Sequence, residues 1–233
     1  DVLWIIGNDN GTGRELPWEA IPTQFLTDPE VWKTLFYNGA LGQTALIRNI
    51  TRFAKNGAFG DVKFAGDVAK ALANKDAIVK GRVHPVAYAN ALGIYGEGQF
   101  DRNSGWGSRS KSWTTNAKVL GGLEAGFYES FQTVEPANKR TMISVDTSAS
   151  MTWGAPAGLV GLDYAGAAAF VAMLTLRTEP YVEINAYSTA MKPLNISEND
   201  SLATVRKKMQ NASGGGTDCA LPMIYARENK REF

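Results

Sequence analysis

Apolar residues recur at helical spacing through the first part of the chain. Asp28-Pro29-Glu30 supplies a helix cap, a proline for the first helical position and an acid for the first turn. The same one-sided spacing predicts further helices over Thr44–Asn56, Val62–Leu72, Asp76–Val79, from His84-Pro85 to Tyr95, and from Thr115 to about Phe131. Helices joined by short turns, without a strand pattern, predict α-helical hairpins that pack side by side.

The pattern changes after residue 138. Thr141–Asp146 and Tyr181–Tyr187 are β-prone runs, and they alternate with helical patterns over Gly158–Arg177, over Leu202–Met209 and from about Asp218. Strands that alternate with helices are typical of a parallel sheet with crossover helices. We therefore predict an α + α/β chain of two domains, a helical domain over residues 1–138 and a sheet domain over residues 139–233.

Composition limits the chemistry. A chain of 233 residues with 44% apolar and 20% charged residues can bury a core. A single cysteine, Cys219, and a single histidine, His84, exclude an internal disulfide, a cysteine-based zinc site and any mechanism that needs two histidines. The chain has no apolar run of membrane-spanning length and no signal peptide, so we expect a cytoplasmic protein without a membrane partner.

Positive charge is concentrated in the first part, although the formal charge of the whole chain is only +1. Between residues 48 and 118, twelve Lys and Arg against five acids give +7, which is typical of a surface that binds phosphate. The alternative is that these charges lie on ordinary solvated helix faces. The candidate RNA-binding residues are Arg48, Arg52, Lys55, Arg82, His84, Arg109 and Lys111.

Three features select these candidates. Arg48, Arg52 and Lys55 follow one another at spacings of four and three, on one side of a predicted helix. Arg82 and His84 lie in one turn before the helix that begins at Pro85, and His84 either contacts RNA or has a capping or packing role. Trp106, in the predicted loop over residues 99–111, and Trp113, just after it, flank Arg109 and Lys111, which suits stacking on single-stranded bases, although a loop tryptophan also packs into cores.

A second candidate site follows the first strand of the sheet domain. Asp146, Ser148 and Ser150 form a D-x-S-x-S pattern at the strand's carboxyl end, where ligands gather in open α/β sheets. Thr217, after three glycines, supplies a third hydroxyl from a second loop. One carboxylate and neutral hydroxyls suit Mg²⁺ or another hard divalent cation, but serines after a strand also act as ordinary helix caps.

The residues around this pattern resemble a known family. VDTSASM, followed by GGGTDCALPM, is similar to the von Willebrand factor A domain of TROVE-module proteins, the Ro autoantigen ribonucleoprotein family and its bacterial and phage relatives. Before it, the following segments resemble the helical TROVE module and occur in the family order: LPWEAIPTQFLTDPEVWKTL, QTALIRNITRF, GRVHPVAYANALGIYGEG and GFYESFQTVEPANKR.

The resemblance implies a ring of HEAT-like helical repeats that is closed by an A domain with a metal-ion-dependent adhesion site (MIDAS). It implies binding of small non-coding Y RNAs on the outer face and of single-stranded ends of misfolded RNAs in the central hole. Asp146, Ser148, Ser150 and Thr217 match the metal motif. The family's third metal loop would fall beyond Phe233, so we expect either a piece of a longer protein or a degenerate relative.

We therefore predict a ribonucleoprotein component that binds RNA and has no catalytic activity. A lone His84, far in sequence from Asp146, supplies no nucleophile, histidine and acid set. The alternative is a protein-interaction module, in which the A domain binds an acidic residue of a partner through magnesium.

Overall fold

A computed structural model describes residues 16–100, 111–154, 156 and 161–233. In the first part of the chain, capping side chains set where most helices begin. The side chains of Asp28, Asp61, Asn74, His84 and Asn116 each accept a backbone N–H from the first turn that follows. The helices are α1 (Pro29–Tyr37), α2 (Gln43–Lys55), α3 (Val62–Leu72), α4 (Lys75–Lys80), α5 (Pro85–Gly96) and α6 (Ala117–Glu129). The predicted helices are thus confirmed to within about two residues at most ends.

Short 3₁₀ turns and one small hairpin complete this helical unit. The turns cover Trp18–Ala20, Thr23–Thr27, Ala58–Gly60 and Ser130–Thr133. Strand β1 (Gln99–Phe100) pairs antiparallel with β2 (Lys111–Ser112), inside the segment predicted as a loop. The rest of that segment, residues 101–110, lies outside the described residues.

Two glycines let helices α3 and α6 approach at backbone level. A Cβ on Gly122 would lie 2.5 Å from the carbonyl oxygen of Ala69, closer than real Cβ contacts. A Cβ on Gly126 would overlap the carbonyl oxygen of Leu72 and the ring of Tyr88. Only glycine therefore fits at these two positions of α6 without moving α3.

A buried hydrogen-bond cluster joins α5 and α2 to the end of α3. The Tyr88 hydroxyl donates to the carbonyl oxygen of Leu72 at 2.6 Å and accepts from the Gln43 amide at 2.8 Å. The Gln43 amide also donates to the carbonyl oxygen of Ala71 at 3.0 Å. Burial raises the pKa of Tyr88 to about 12, so its hydroxyl stays protonated and keeps its donor at physiological pH.

A mixed sheet of three strands, in the order β3-β4-β5, forms the second unit. Strands β3 (Arg140–Asp146) and β4 (Tyr181–Tyr187) run parallel, as predicted, in register from Arg140 opposite Tyr181 to Asp146 opposite Tyr187. Strand β5 (Met191–Pro193) was not predicted, and it pairs antiparallel with β4. The chain divides into its two compact units between Thr133 and Val134, a few residues before the predicted joint at residue 138.

The helices of the second unit are α7 (Tyr164–Thr178), α8 (Leu202–Asn211) and α9 (Leu221–Glu228). Helix α7 starts later than the predicted Gly158, because the Asp163 side chain accepts the N–H of Gly166 and caps the helix there. Helix α9 also starts later than predicted. Within the described ranges, no helix combines the length and the apolar character needed to cross a bilayer.

The close contact of α3 and α6 predicts which glycines are replaceable. Gly122→Ala and Gly126→Ala are each expected to lower the free energy of unfolding by about 1–3 kcal/mol, because the added methyl group forces the two helices apart. Gly121→Ala is the matched control, since a Cβ at this position of the same helix would meet nothing within 4 Å. That control should be neutral or should stabilise the protein by up to about 1 kcal/mol. Urea unfolding followed by circular dichroism measures all three, and equal stability of the three variants would contradict the packing argument.

Candidate metal-binding and RNA-binding residues

Asp146 and the two serines of the predicted metal motif form one short hydrogen-bonded loop. Asp146 is the last residue of β3, and its Oδ1 accepts the N–H of Ser148 at 2.8 Å. The hydroxyls of Ser148 and Ser150 lie 3.2 Å apart, with Ser148 buried and Ser150 exposed. The loop therefore places a carboxylate and two hydroxyls together, with one side open to solvent.

The glycine-rich loop is anchored to the same edge of the sheet. The Gly214 N–H donates to the carbonyl oxygen of Thr147 at 3.0 Å, and the Asp218 N–H donates to the carbonyl oxygen of Ser188 at 2.9 Å. Gly214 and Gly215 take φ values of +138° and +81°, in the region that favours glycine. Thr217 lies between the two anchors and is exposed. The two loops predicted to share a site thus do meet.

Tyr187 and Cys219 also lie at this edge, and sequence analysis missed the tyrosine. Burial, the negative charge of Asp146 and a hydrogen bond with Cys219 all raise the pKa of Tyr187. Cys219 is exposed. Tyr187 was recognisable as the last residue of the second predicted strand, because parallel strands end at the same edge.

The donor set at this edge fits a hard divalent cation. It offers oxygen ligands, which Mg²⁺ and Ca²⁺ prefer. In the part of the chain that the structure describes, no three or more His, Cys, Asp and Glu residues come together at a potential metal site. A cation here would therefore depend on Asp146 and neutral hydroxyls and would keep positive charge for a further ligand.

Arg48 lies at a groove of about 320 Å³ between α2 and α5. Most residues that line the groove are apolar, and its polar groups belong to Arg48, Thr51, Asn90 and Tyr95. Arg48 is exposed. An exposed cation beside a mostly apolar groove can contact a phosphate while a base or sugar lies against the apolar residues.

The other two cations of α2 pack against tryptophans. The Arg52 guanidinium lies 5.5 Å from the ring centroid of Trp32 and 5.9 Å from that of Trp18. One of its nitrogens, Nη1, is buried and has no hydrogen-bond partner among the described residues. The Lys55 ammonium lies 4.8 Å from the Trp113 ring centroid. The spacing of Arg48, Arg52 and Lys55 places them on one side of α2, but their surroundings differ. Only the tertiary structure reveals this difference.

The remaining RNA candidates lie near the start of α5 or outside the described residues. Arg82 is exposed in the turn before α5, with a φ of +47°. The Nδ1 atom of the exposed His84 accepts the N–H of Val86 at 3.2 Å, so His84 does cap α5. Arg109 lies outside the described residues, and so does the side chain of Lys111, at the start of β2.

Trp113 has a packing role rather than an open stacking face. It is 8% exposed, and its indole N–H donates to the carbonyl oxygen of Tyr95 at 3.1 Å. Of the two alternatives that sequence analysis left open for this loop tryptophan, the structure supports burial in the core. Trp106 lies outside the described residues.

Known proteins match both parts of the chain. The TROVE domain family matches residues 13–95, and the Ro60 vWA domain family matches residues 140–233. A relative from Deinococcus radiodurans, named "RNA-binding protein RO60", is 34% identical over 92% of this chain. A relative of the same name from Caenorhabditis elegans is 31% identical over 92% of this chain.

A solved structure agrees with these matches. The crystal structure of the Deinococcus radiodurans RO (RSR) protein aligns over 93% of this chain, with a TM-score of 0.79 and 30% identity. The chain covers 39% and 32% of the two curated relatives and 42% of the crystallised protein. It therefore spans less than half the length of the proteins that it matches.

The two arginines of α2 should differ in their effect on stability. Arg52→Ala is expected to lower the free energy of unfolding by about 1–2 kcal/mol, because the guanidinium and its stem pack on two tryptophan rings. Arg48→Ala, at an exposed position of the same helix, should change it by less than about 0.5 kcal/mol. Denaturant unfolding of both variants measures the difference, and two equal values would argue against a packing role for Arg52.

Proposed function

The chain belongs to the TROVE and Ro60 family, and we propose that it binds RNA through its helical unit. The observation that carries this proposal is the match to relatives named RNA-binding proteins over nearly the whole chain. The exposed Arg48 at the groove between α2 and α5 supports it, because phosphate contacts need an accessible cation. The protein acts as a ribonucleoprotein component and not as an enzyme.

The RNA class follows from the family resemblance. Small non-coding RNAs of the Y type, and single-stranded ends of misfolded RNAs, are the proposed ligands, bound by HEAT-like helices arranged as a ring. Arg48, Arg82 and His84 supply contacts to phosphates or bases, and the open side of Arg52 and Lys55 adds positive charge beside them. We place this activity in the cytoplasm, where an exposed free thiol such as Cys219 stays reduced.

RNA binding is tested by replacing the exposed arginine at the groove. Arg48→Gln should weaken binding of a labelled single-stranded RNA several-fold and should reduce the slope of log affinity against log salt by about one, because one phosphate contact is lost. Fluorescence anisotropy at two or more salt concentrations measures both quantities. Arg227→Gln, at an exposed position of α9 in the other unit, is the matched control.

Two outcomes would contradict this proposal. Wild-type protein that fails to bind RNA at low salt would remove the function as a whole. An Arg48→Gln variant that binds like Arg227→Gln would leave RNA binding in place but would remove the groove as its site.

We also propose that Asp146, Ser148, Ser150 and Thr217 hold Mg²⁺ or another divalent cation. The hydrogen-bonded loop of Asp146 and the anchored glycine loop support this proposal, because both bring oxygen donors to one edge of the sheet. When bound, the cation would supply a positive charge with open positions for an anionic ligand. A carboxylate of a protein partner is the second candidate ligand, and it would make the sheet unit a metal-dependent interaction module.

The metal proposal predicts a specific loss of affinity. Asp146→Asn should lower Mg²⁺ affinity at least about tenfold, because the site loses its only ligand with a negative charge. Asp218→Asn is the matched control in the neighbouring loop, since Asp218 Oδ1 accepts the N–H of Ala220 and caps its own turn. Isothermal titration calorimetry with MgCl₂ compares the variants, and equal affinities for wild type and Asp146→Asn would refute the assignment.

A further inference from the structure

An exposed tryptophan stands beside the candidate metal site. Trp153 is 78% exposed, the largest value among the exposed large hydrophobic side chains of the described residues. The backbone N–H of Trp153 donates to the carbonyl oxygen of Ser150 at 3.1 Å, so Trp153 lies one tight turn after the metal motif. The family resemblance assigns no role to the Trp153 side chain. Trp153 is not one of the proposed metal ligands, and it is not packed in the core.

Tyr164 adds a second aromatic ring at the same place. A Cβ on Gly154 would lie 3.0 Å from the Tyr164 ring, so this ring rests on the backbone next to Trp153. Gly154 has a φ of +85°, which favours glycine and holds the turn in position. The next residue, Ala165, lines a small cavity together with Asp146 and Ser148. Tyr164 and the turn that carries Trp153 are thus close in the chain to residues that line this cavity.

A lysine supplies positive charge near this edge. The Lys192 ammonium donates to the carbonyl oxygen of Ala212 at 3.0 Å, two residues before the glycine that contacts Thr147. Within the described part of the chain, no carboxylate forms an ion pair with Lys192. Its charge is therefore not neutralised locally, and it favours an anion at this edge.

We propose that this edge binds single-stranded RNA, with a base stacked on Trp153 and the adjacent phosphate facing Lys192 and the loop of Asp146 and Ser150. An exposed tryptophan next to a site for anions is the combination that single-strand binding proteins use, because every base has a face that stacks. An acidic peptide would also pair with the positive charge, but its carboxylates do not stack on a flat aromatic ring. The choice of RNA over a peptide rests on the proposed function.

The test measures binding of a labelled oligouridylate to the full chain by fluorescence anisotropy, in Mg²⁺ and in EDTA. Trp153→Ala should lower the affinity in Mg²⁺ at least about fivefold, whereas Trp153→Phe should keep most of it because a stacking face remains. Tyr181→Ala is the matched control, since Tyr181 is 64% exposed at the amino end of β4, opposite the metal edge. RNA should also quench tryptophan fluorescence in the wild type more than in Trp153→Phe.

The outcomes separate this inference from the proposed function. If the wild type binds RNA and Trp153→Ala binds as well as Tyr181→Ala, the inference fails and the proposed function stands. If the wild type does not bind RNA at low salt, both fail. An oligoglutamate peptide that quenches Trp153 in Mg²⁺, where oligouridylate does not, would assign the edge to an acidic protein partner and would overturn the inference.

Discussion

The helical unit depends on the backbone contact that Gly122 and Gly126 allow between α6 and α3. Gly126 lies against both the carbonyl oxygen of Leu72 and the Tyr88 ring, and carbonyl groups at the end of α3 accept hydrogen bonds from Tyr88 of α5 and Gln43 of α2. These two hydrogen-bonding side chains hold α5 and α2 at the same helix end. The groove that carries Arg48 lies between α5 and α2, the two helices that these side chains join to α3.

An equivalent constraint in the second unit is the register of β3 and β4. Side chains alternate between the two faces of a strand, so a shift of one residue would move Asp146 away from Tyr187 and to the other face. The parallel direction brings the carboxyl ends of both strands to one edge. The loop that carries the serines follows β3, whereas the glycine loop follows α8 and is held at the same edge by backbone hydrogen bonds to Thr147 and Ser188.

Sequence predicted the features that depend on local chemistry. The caps at Asp28 and His84 could be identified because a capping side chain and the backbone N–H that donates to it lie within one turn of each other. The start of α7 was missed because the apolar run before Asp163 continued the helical pattern across the true cap. The packing of Arg52 on Trp18 was not predictable, since residues so far apart in sequence are brought together only by the fold.

The difference between Arg48 and Arg52 limits what a charge count can say about RNA binding. A count of the charges between residues 48 and 118 assumes that every cation is available to bind phosphate. In the structure, several of these cations contact other groups of the protein. The Lys63 ammonium lies 2.6 Å from an oxygen of Asp67, and Lys55 lies over Trp113. A salt bridge or a cation–π contact does not abolish the long-range field, but it fixes the direction in which the cation can donate hydrogen bonds. In the proposed function, affinity for RNA would therefore depend less on the number of cations than on those, such as Arg48, that are exposed and line a groove.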